Sequence, residues 1–279
     1  MAVDLHTHSR LSDGGVMPGR IVEMAIARGL TTIALTDHDL IDGNEEAALM
    51  AGDRIAFIPG VELSVEWEGR GMHLLAYWTS VDTPLSDKLE EIRAGRHSRN
   101  LEIIDALKEL GVPVTLEEVE KEAEVGVVGR PHFAAVLMDK GVVDSVGAAF
   151  EHFLAAGRPA YRPRQRVSAE EMVELARQSG AVTSVAHPHT LADSREEFTH
   201  LFPSFAALGI DGVECHYVEY RPELRGRLAT MAESAGLVPT GGSDYHERYK
   251  PGIEVGTGKG DLAVPDNVVE RLCARRPTA

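Results

Sequence analysis

The sequence is short of cysteine, of basic charge and of long apolar runs. Its 279 residues include two cysteines, Cys215 and Cys273. They are too few and too far apart for a disulfide framework, so a reducing compartment is expected and the cytoplasm is the default location. No uninterrupted apolar stretch approaches the ~18 residues of a membrane span. The opening residues, MAVDLHTHSR, place acid and histidine where an export signal needs basic and then apolar residues. No membrane association is expected. Lys and Arg number 28 against 44 Asp and Glu, a formal net charge of −16, which suits neither long duplex nucleic acid nor an anionic bilayer. Taken alone, that charge also speaks against a phosphate-bearing substrate. Internal repeats and low-complexity tracts are absent too, which argues against solenoids and propellers.

What is present is an alternation of strand and helix, in a chain whose 43% hydrophobic content is enough to bury a core. A strand is expected at Ala2–Leu5, then a helix over 17–28, with Pro18 in its first turn and Gly29 to end it. The β-branched run Thr31–Leu35 predicts a buried strand, and further strands fit Ile55–Ile58, Val61–Val65, His73–Trp78, Val182–Ala186, Gly212–Cys215 and Leu237–Thr240. Helices fit Ala169–Gln178, Arg195–Leu208 and Pro222–Ser234. This rhythm predicts an α/β fold with a parallel sheet or barrel. From about Pro84 to Leu154 the pattern is helical only, in separate apolar sets such as Leu85, Leu89, Ile92 and Leu101, Ile104, Leu107. The expected division is therefore barrel over 1–83, a helical insertion capping the site over 84–160, and barrel again over 161–279. Arginine gathers at the edges of the insertion: Arg93, Arg96 and Arg99, then Arg158, Arg162, Arg164 and Arg166.

The histidines carry the chemistry. His6 and His8 form an H-x-H pair on the first strand, where residues two apart face the same side and both rings can reach one ion. His38 lies in TDHD, Glu62 in PGVELS, His73 begins HLLAY, His187 closes SVAHP, and Asp244 and His246 end GGSDYH. Each sits on an expected strand or at its C-terminal edge, where barrels assemble active sites. Such groups would be costly in a core without partners, and shared metal coordination supplies partners to all of them. His97, His152 and His200 fall on amphipathic helices and read as surface or packing residues, and Cys215 as a small buried hydrophobe.

DLHTHSRLSDG, ALTDHD, PGVELS, the histidine of HLLAY, VAHP and GGSDYH, in this order from residue 4 to 246, resemble the successive motifs of the PHP family, the polymerase and histidinol phosphatase phosphoesterases. The insertion followed by GRPHFA and GRPAY resembles the small bacterial group that hydrolyses 3′,5′-bisphosphonucleosides, such as 3′-phosphoadenosine 5′-phosphate, and the 5′ ends of short RNA. The resemblance implies a distorted seven-stranded (β/α) barrel with two or three divalent ions. It places one ion on His6, His8, Glu62 and Asp244, a second on Glu62, His73 and His187, and a third on Asp13, His38 and His246. With imidazole and carboxylate ligands and no thiolate, Mn²⁺, Fe²⁺ or Zn²⁺ is suited. Asp37 and Asp39 are expected either to orient the His38 ring or to cap a loop.

A carboxylate-bridged ion pair would acidify a water to give hydroxide at neutral pH, so no protein nucleophile is required and none is assigned. Ser9, Ser12 and Ser243 are expected to bond loop backbone. Arg96, Arg99, Arg130, His132 and Arg158 are the candidates for binding a phosphate dianion, since guanidinium makes bidentate contacts; His132 could instead cap its own helix. Arg93 and Arg162 are expected to face water. His189 is a candidate substrate contact, and Glu214 a support behind the ligands. The expected partner is a small phosphorylated molecule, a nucleotide or an RNA 5′ end, and a monomer is compatible with such a site. The competing readings are a histidinol-phosphate phosphatase and a non-catalytic nucleotide-binding module. Divalent ions would reverse the local sign of charge, so the net charge of −16 leaves a small anionic substrate open.

Overall fold

A computed structural model describes residues 3–123, 128–163, 167–192 and 194–277. The strands are β1 (Val3–Asp4), β2 (Thr32–Leu35), β3 (Ala56–Trp67), β4 (Arg70–Tyr77), β5 (Val167–Ser168), β6 (Val182–Val185), β7 (Gly212–Tyr217) and β8 (Val238–Gly242). Seven of them follow one another in the order β1-β2-β3-β4-β6-β7-β8, and β5 adds only to the far end of β3. The ring nearly closes between β1 and β8: the Leu5 N–H donates to Gly241 O at 3.2 Å and the Asp244 N–H to His6 O at 2.8 Å. This is the expected distorted barrel.

The distortion has a local origin. β4 is antiparallel to both neighbours, because Trp67 pairs with Arg70 across the two-residue turn Glu68–Gly69, whose φ angles are +49° and +75°. Two left-handed residues are what a tight hairpin of the type I′ family needs, so an all-parallel barrel is corrected to one with a reversed strand. The break expected between Ile58 and Val61 is also corrected. β3 runs through Pro59 and Gly60, pairing with β2 up to Pro59 and with β4 from Gly60 onward. The missing proline N–H falls where the strand changes partner.

Helices surround the ring: α1 (Pro18–Ala27), α2 (Gly43–Ala51), α3 (Pro84–Glu109), α4 (Leu116–Ala123), α5 (Arg130–Asp139), α6 (Val146–Ala149), α7 (Ala169–Gln178), α8 (Arg195–Ala207), α9 (Pro222–Ser234) and α10 (Asn267–Cys273). α2 and α10 escape the sequence reading, being short and weakly patterned. The apolar sets between residues 85 and 107 belong to one 26-residue helix, α3, started by a Thr83–Ser86 capping box with Pro84 in the first turn. Its buried face changes chemistry along its length. Leu85 and Leu89 join the barrel's outer core with Phe202 and Phe205. Arg96, Arg99 and Asn100 are buried in the middle, and Ile103 and Leu107 enter a second core with Phe133 and Leu154. α6 runs on into a π-helical turn, Phe150–Leu154. No helix among the described residues is long and apolar enough to cross a membrane.

Candidate metal centre

The strands deliver polar side chains to one end of the ring. His6 and His8 follow β1, His38 follows β2, His187 follows β6, and Asp244 and His246 follow β8. Glu62 lies within β3. His73 stands at the same end although it is near the start of β4, because that strand is reversed and pairs His73 with Ser64. The backbone accepts strain to aim two of these groups: Asp244 and His187 have φ of +52° and +29°, a left-handed region that side chains rarely adopt. It also tolerates no added atoms. A Cβ on Gly242 would sit 2.4 Å from His6 Cβ, and one on Gly14 would sit 2.1 Å from His8 O.

Glu62, 1% exposed, is the hub. Its Oε2 lies 3.3, 3.0 and 3.2 Å from His6 Nε2, His8 Nε2 and His38 Nδ1, and its Oε1 2.9 and 3.0 Å from His73 Nδ1 and His187 Nε2. Asp244 Oδ1 is 3.5 Å from the Nε2 atoms of both His6 and His8. Half-buried Asp13 reaches His246 Nε2 at 3.2 Å and His38 Nε2 at 3.5 Å. Three groups thus place ligand atoms within 4.8 Å of one another: His6, His8 and Asp244; His38, Glu62 and His73; and Asp13, His38, His246 and His8.

The protonation pattern is one of conflict. Burial disfavours a charged His6, yet Asp244, Glu214 and Glu62 override it and hold its pKa well above the usual value. Burial and the neighbouring imidazoles of His246 and His38 push His8 down to about 3. His38 falls to about 4, burial outweighing Glu62 and Asp13. Burial opposes ionisation of Glu62, but His38, His6 and His73 keep its carboxyl well below the carboxylate range.

These residues fit divalent cations. The His6 and His8 Nε2 atoms face each other at 3.0 Å. The buried Nδ1 atoms of His8, His38, His73 and His187 make no hydrogen bond, although Glu62 oxygens lie within 3.2 Å of two of them. Polar atoms crowded off the hydrogen-bonding axis are satisfied by an ion they share. Behind this layer, Glu214 Oε1 takes His6 Nδ1 at 3.1 Å and Oε2 accepts the His187 N–H at 2.7 Å. With Nδ1 as donor, His6 keeps Nε2 as the ligating atom.

Sequence reasoning missed the tethers on Asp244. Its Oδ2 accepts from Tyr217 Oη at 2.7 Å and from Lys250 Nζ, leaving Oδ1 to face the imidazoles. Burial resists a charged Asp244, while His6, His246 and Lys250 keep its pKa well below the ordinary range. Nothing in the spacing marks Tyr217, 27 residues from its partner. Replacing Tyr217 by Phe or Lys250 by Met is expected to weaken metal binding by roughly 10–100-fold, read by competition with a chromophoric chelator. An unchanged dissociation constant in both variants would remove this orienting role.

Asp37 and Asp39 hold loops and not the His38 ring, which faces Asp13 and Glu62. Asp37 accepts from the Ser9 N–H and hydroxyl at 2.7 and 2.6 Å and from the Ser12 hydroxyl at 2.7 Å. Ser9 and Ser12 thus bond a carboxylate more closely than backbone. Burial raises Asp37 to about 6, against those hydrogen bonds. Asp39, with φ +50°, accepts from the Ser64 N–H at 2.7 Å and pairs with Arg96, tying α3 to the barrel. His189 bonds Tyr220 Oη through Nδ1 at 3.0 Å and stacks on Tyr217, its ring centroid 6.1 Å from that of His187.

Beside the ligands, Arg96, Arg99, Arg130 and His132 line one chamber together with Ser12, Ser64, His38 and His73. His132 does cap its helix, Nδ1 accepting the Gly129 N–H at 3.0 Å, which turns Nε2 into the donor of a neutral ring. Arg130 donates to Leu154 O at 3.2 Å and lies over the Phe150 and Tyr161 rings. Arg158 is exposed in a turn and lines no part of this chamber; Arg164 and Arg166 lie outside the described residues. Arg93 pairs with Asp42 at the surface, whereas Arg162 is half-buried, donating to the carbonyls of Pro159 and Tyr161. His97, His152 and His200 are exposed, and Cys215 is buried in the core.

The family profile described as PHP domain matches residues 4–224. A 5′-3′ exoribonuclease of Haemophilus influenzae is 33% identical over 245 residues, 87% of this chain and 89% of its own. A 3′,5′-nucleoside bisphosphate phosphatase of Chromobacterium violaceum is 32% identical over 257 residues, 91% and 90% of the two chains. A crystal structure from Bifidobacterium adolescentis, described as a candidate metal-dependent phosphoesterase, superposes with a TM-score of 0.83 at 29% identity, covering 99% of this chain and 96% of that one.

Proposed function

The chain belongs to the PHP domain family, and from that premise we propose that it is a metal-dependent phosphoesterase acting on nucleotides, either 3′,5′-bisphosphonucleosides or the 5′-phosphorylated ends of short RNA. The observation that carries this reading is that the His38 and His73 side of the ligand cluster opens directly into a chamber lined by Arg96, Arg99 and Arg130. A cluster built for hydrolysis of a neutral bond has no use for that much fixed positive charge. The related exoribonuclease and bisphosphate phosphatase support the same substrate class.

Two or three ions of Mn²⁺, Fe²⁺ or Zn²⁺ would be held by His6, His8, Glu62 and Asp244, by Glu62, His73 and His187, and by Asp13, His38 and His246. When bound, such ions supply Lewis-acid polarisation of the phosphoryl group and acidify water at neutral pH. The protein's own part is placement. Arg99 and Arg130 meet the outer phosphoryl oxygens as planar double donors, and His132 offers Nε2–H. Arg96 serves twice, facing the chamber and pinning α3 to Asp39. Residues 84–160 act as a cap between the barrel parts 1–83 and 161–279, since α3 and α5 bring these donors over the ligands.

Purified protein supplied with Mn²⁺ is expected to release phosphate from 3′-phosphoadenosine 5′-phosphate, or mononucleotides from a 5′-phosphorylated oligoribonucleotide. Arg130→Ala should lower kcat/KM by about 10²–10³-fold, the scale of losing one donor to a developing charge. No turnover of either substrate above the His73→Ala variant would overturn the proposal.

A further inference from the structure

Two cavities adjoin the ligand cluster and share Asp13, His38, His73, Pro131 and Phe150 in their walls. One is the arginine chamber. The other, of about 320 Å³, is mainly apolar once past the ligands, its walls coming from Pro131, Val146 and Phe150 of the insertion, from Tyr249 in the turn after His246, and from Lys250, whose ammonium is held by Asp244. Val146 and Tyr249 are 40% and 37% exposed, so two large apolar side chains stand in solvent at the mouth of one cleft. Exposed apolar surface that rims a polar centre marks a binding site.

Resting on the phosphoesterase reading, we infer that this second cavity holds the nucleobase of the substrate between Tyr249 and the Val146–Phe150 wall. A ring in this slot leaves the scissile phosphate at the ligand cluster and a second anionic group in the arginine chamber. The arrangement divides recognition by chemistry: the three guanidinium groups on one side of the cluster, a mainly apolar face on the other. The rings of Tyr249 and Phe150 offer faces for stacking, which every base satisfies, Pro131 and Val146 have no side-chain groups to read a base edge, and the Lys250 ammonium is engaged by Asp244. The slot therefore accepts all four bases and favours purines, whose larger rings cover more of the wall. Its volume lies at the lower end of ligand pockets, enough for one base and its ribose but not for a stacked run of bases.

Calorimetric titration of the Mn²⁺-loaded protein with AMP and with ribose 5-phosphate isolates the base. AMP is expected to bind about tenfold more tightly, within the range found for one base stacked on an aromatic ring. Tyr249→Ala should remove most of that difference and leave ribose 5-phosphate unchanged, and Val146→Ser should reduce it in the same direction. Equal affinity of wild-type protein for the two probes would overturn the inference. So would a Tyr249→Ala loss of the same size on both. Turnover of 3′-phosphoadenosine 5′-phosphate and of a 5′-phosphorylated oligoribonucleotide, measured in parallel, keeps the two readings apart: turnover of either with base-independent binding sinks the slot alone, and base-dependent binding without turnover of both supports the slot while overturning phosphoesterase activity.

Discussion

Glu62→Gln is expected to abolish phosphoester hydrolysis, lowering kcat/KM by at least about 10³-fold, and to leave less than one tightly held ion per chain. Five imidazoles converge on the two oxygens of this carboxylate at 2.9–3.3 Å, and no other acid in the cluster touches so many. Glutamine keeps the shape of the side chain but replaces one oxygen with a donor amide, which ligates no cation and faces rings that must themselves coordinate. The substitution also removes the negative charge that offsets the surrounding imidazoles, so a second cost appears in stability. Metal bound to the native state alone, at a free concentration a hundred times its dissociation constant, contributes about 2.7 kcal/mol. For a chain of this size each kcal/mol moves Tm by roughly 2–4 °C. Addition of Mn²⁺ should therefore raise the Tm of the wild-type protein by about 5–10 °C and that of Glu62→Gln by much less. Metal analysis, the two melting curves and kcat/KM form one test. A variant that retains both the stabilisation and the rate would show that Glu62 is a bystander.

Asp4→Ala is expected to be the most damaging change to the fold outside the ligand cluster. The Asp4 carboxylate is fully buried at the seam where β1 meets β8, and it accepts backbone N–H groups from Ser243 at 2.8 Å, Gly256 at 2.7 Å and His6 at 3.3 Å. Alanine leaves three buried amides without their acceptor, and each such orphan costs roughly 1–3 kcal/mol. A loss of at least about 3 kcal/mol follows, which is a large part of the stability of an ordinary domain. Asp4→Asn should cost less. Burial raises the pKa of Asp4 in spite of its hydrogen bonds, so the site binds an oxygen acceptor more than it binds a charge, and asparagine retains one oxygen. Chemical denaturation of the metal-free proteins separates this effect from metal binding. An Asp4→Ala midpoint close to that of wild type would mean that the seam is held elsewhere. Because His6 is the second residue after Asp4, a loosened seam should also weaken metal binding in the alanine variant.

Eight of the nine proposed ligands were legible in the sequence because they obey short-range rules. H-x-H uses the two-residue period of an extended chain, His38, His187, Asp244 and His246 follow runs such as TTIAL or SVA whose apolar character marks a strand about to end, and Glu62 and His73 lie on apolar strands themselves. Asp13, in a turn after β1, carried no such signal and rested on the resemblance to the PHP motifs alone. The helices α7 and α9 were legible to their last residues for a similar reason: glycine follows within two residues of each end, and Pro222 or Ser168 sets each start. The reversed β4 had a signal as well, the Glu68–Gly69 pair between two β-rich runs, but a rhythm of helices and strands elsewhere outweighed it.

What the sequence by itself determined, then, was the kind of fold and the kind of chemistry, since periodicity, capping and strand ends are properties of neighbouring residues. The tertiary structure alone decided which side chains meet. His6 and Glu214 are 208 residues apart and Asp4 and Gly256 are 252 apart, and no local pattern encodes such pairs. Closure of the ring brings them together, and it also sorted the arginines: Arg96 into a pair with Asp39, Arg99 and Arg130 into the chamber, Arg158 out to solvent. Composition treats these residues alike. They differ only in which face of the insertion turns toward the barrel, a matter settled by packing over the whole chain and not by any residue's own preference.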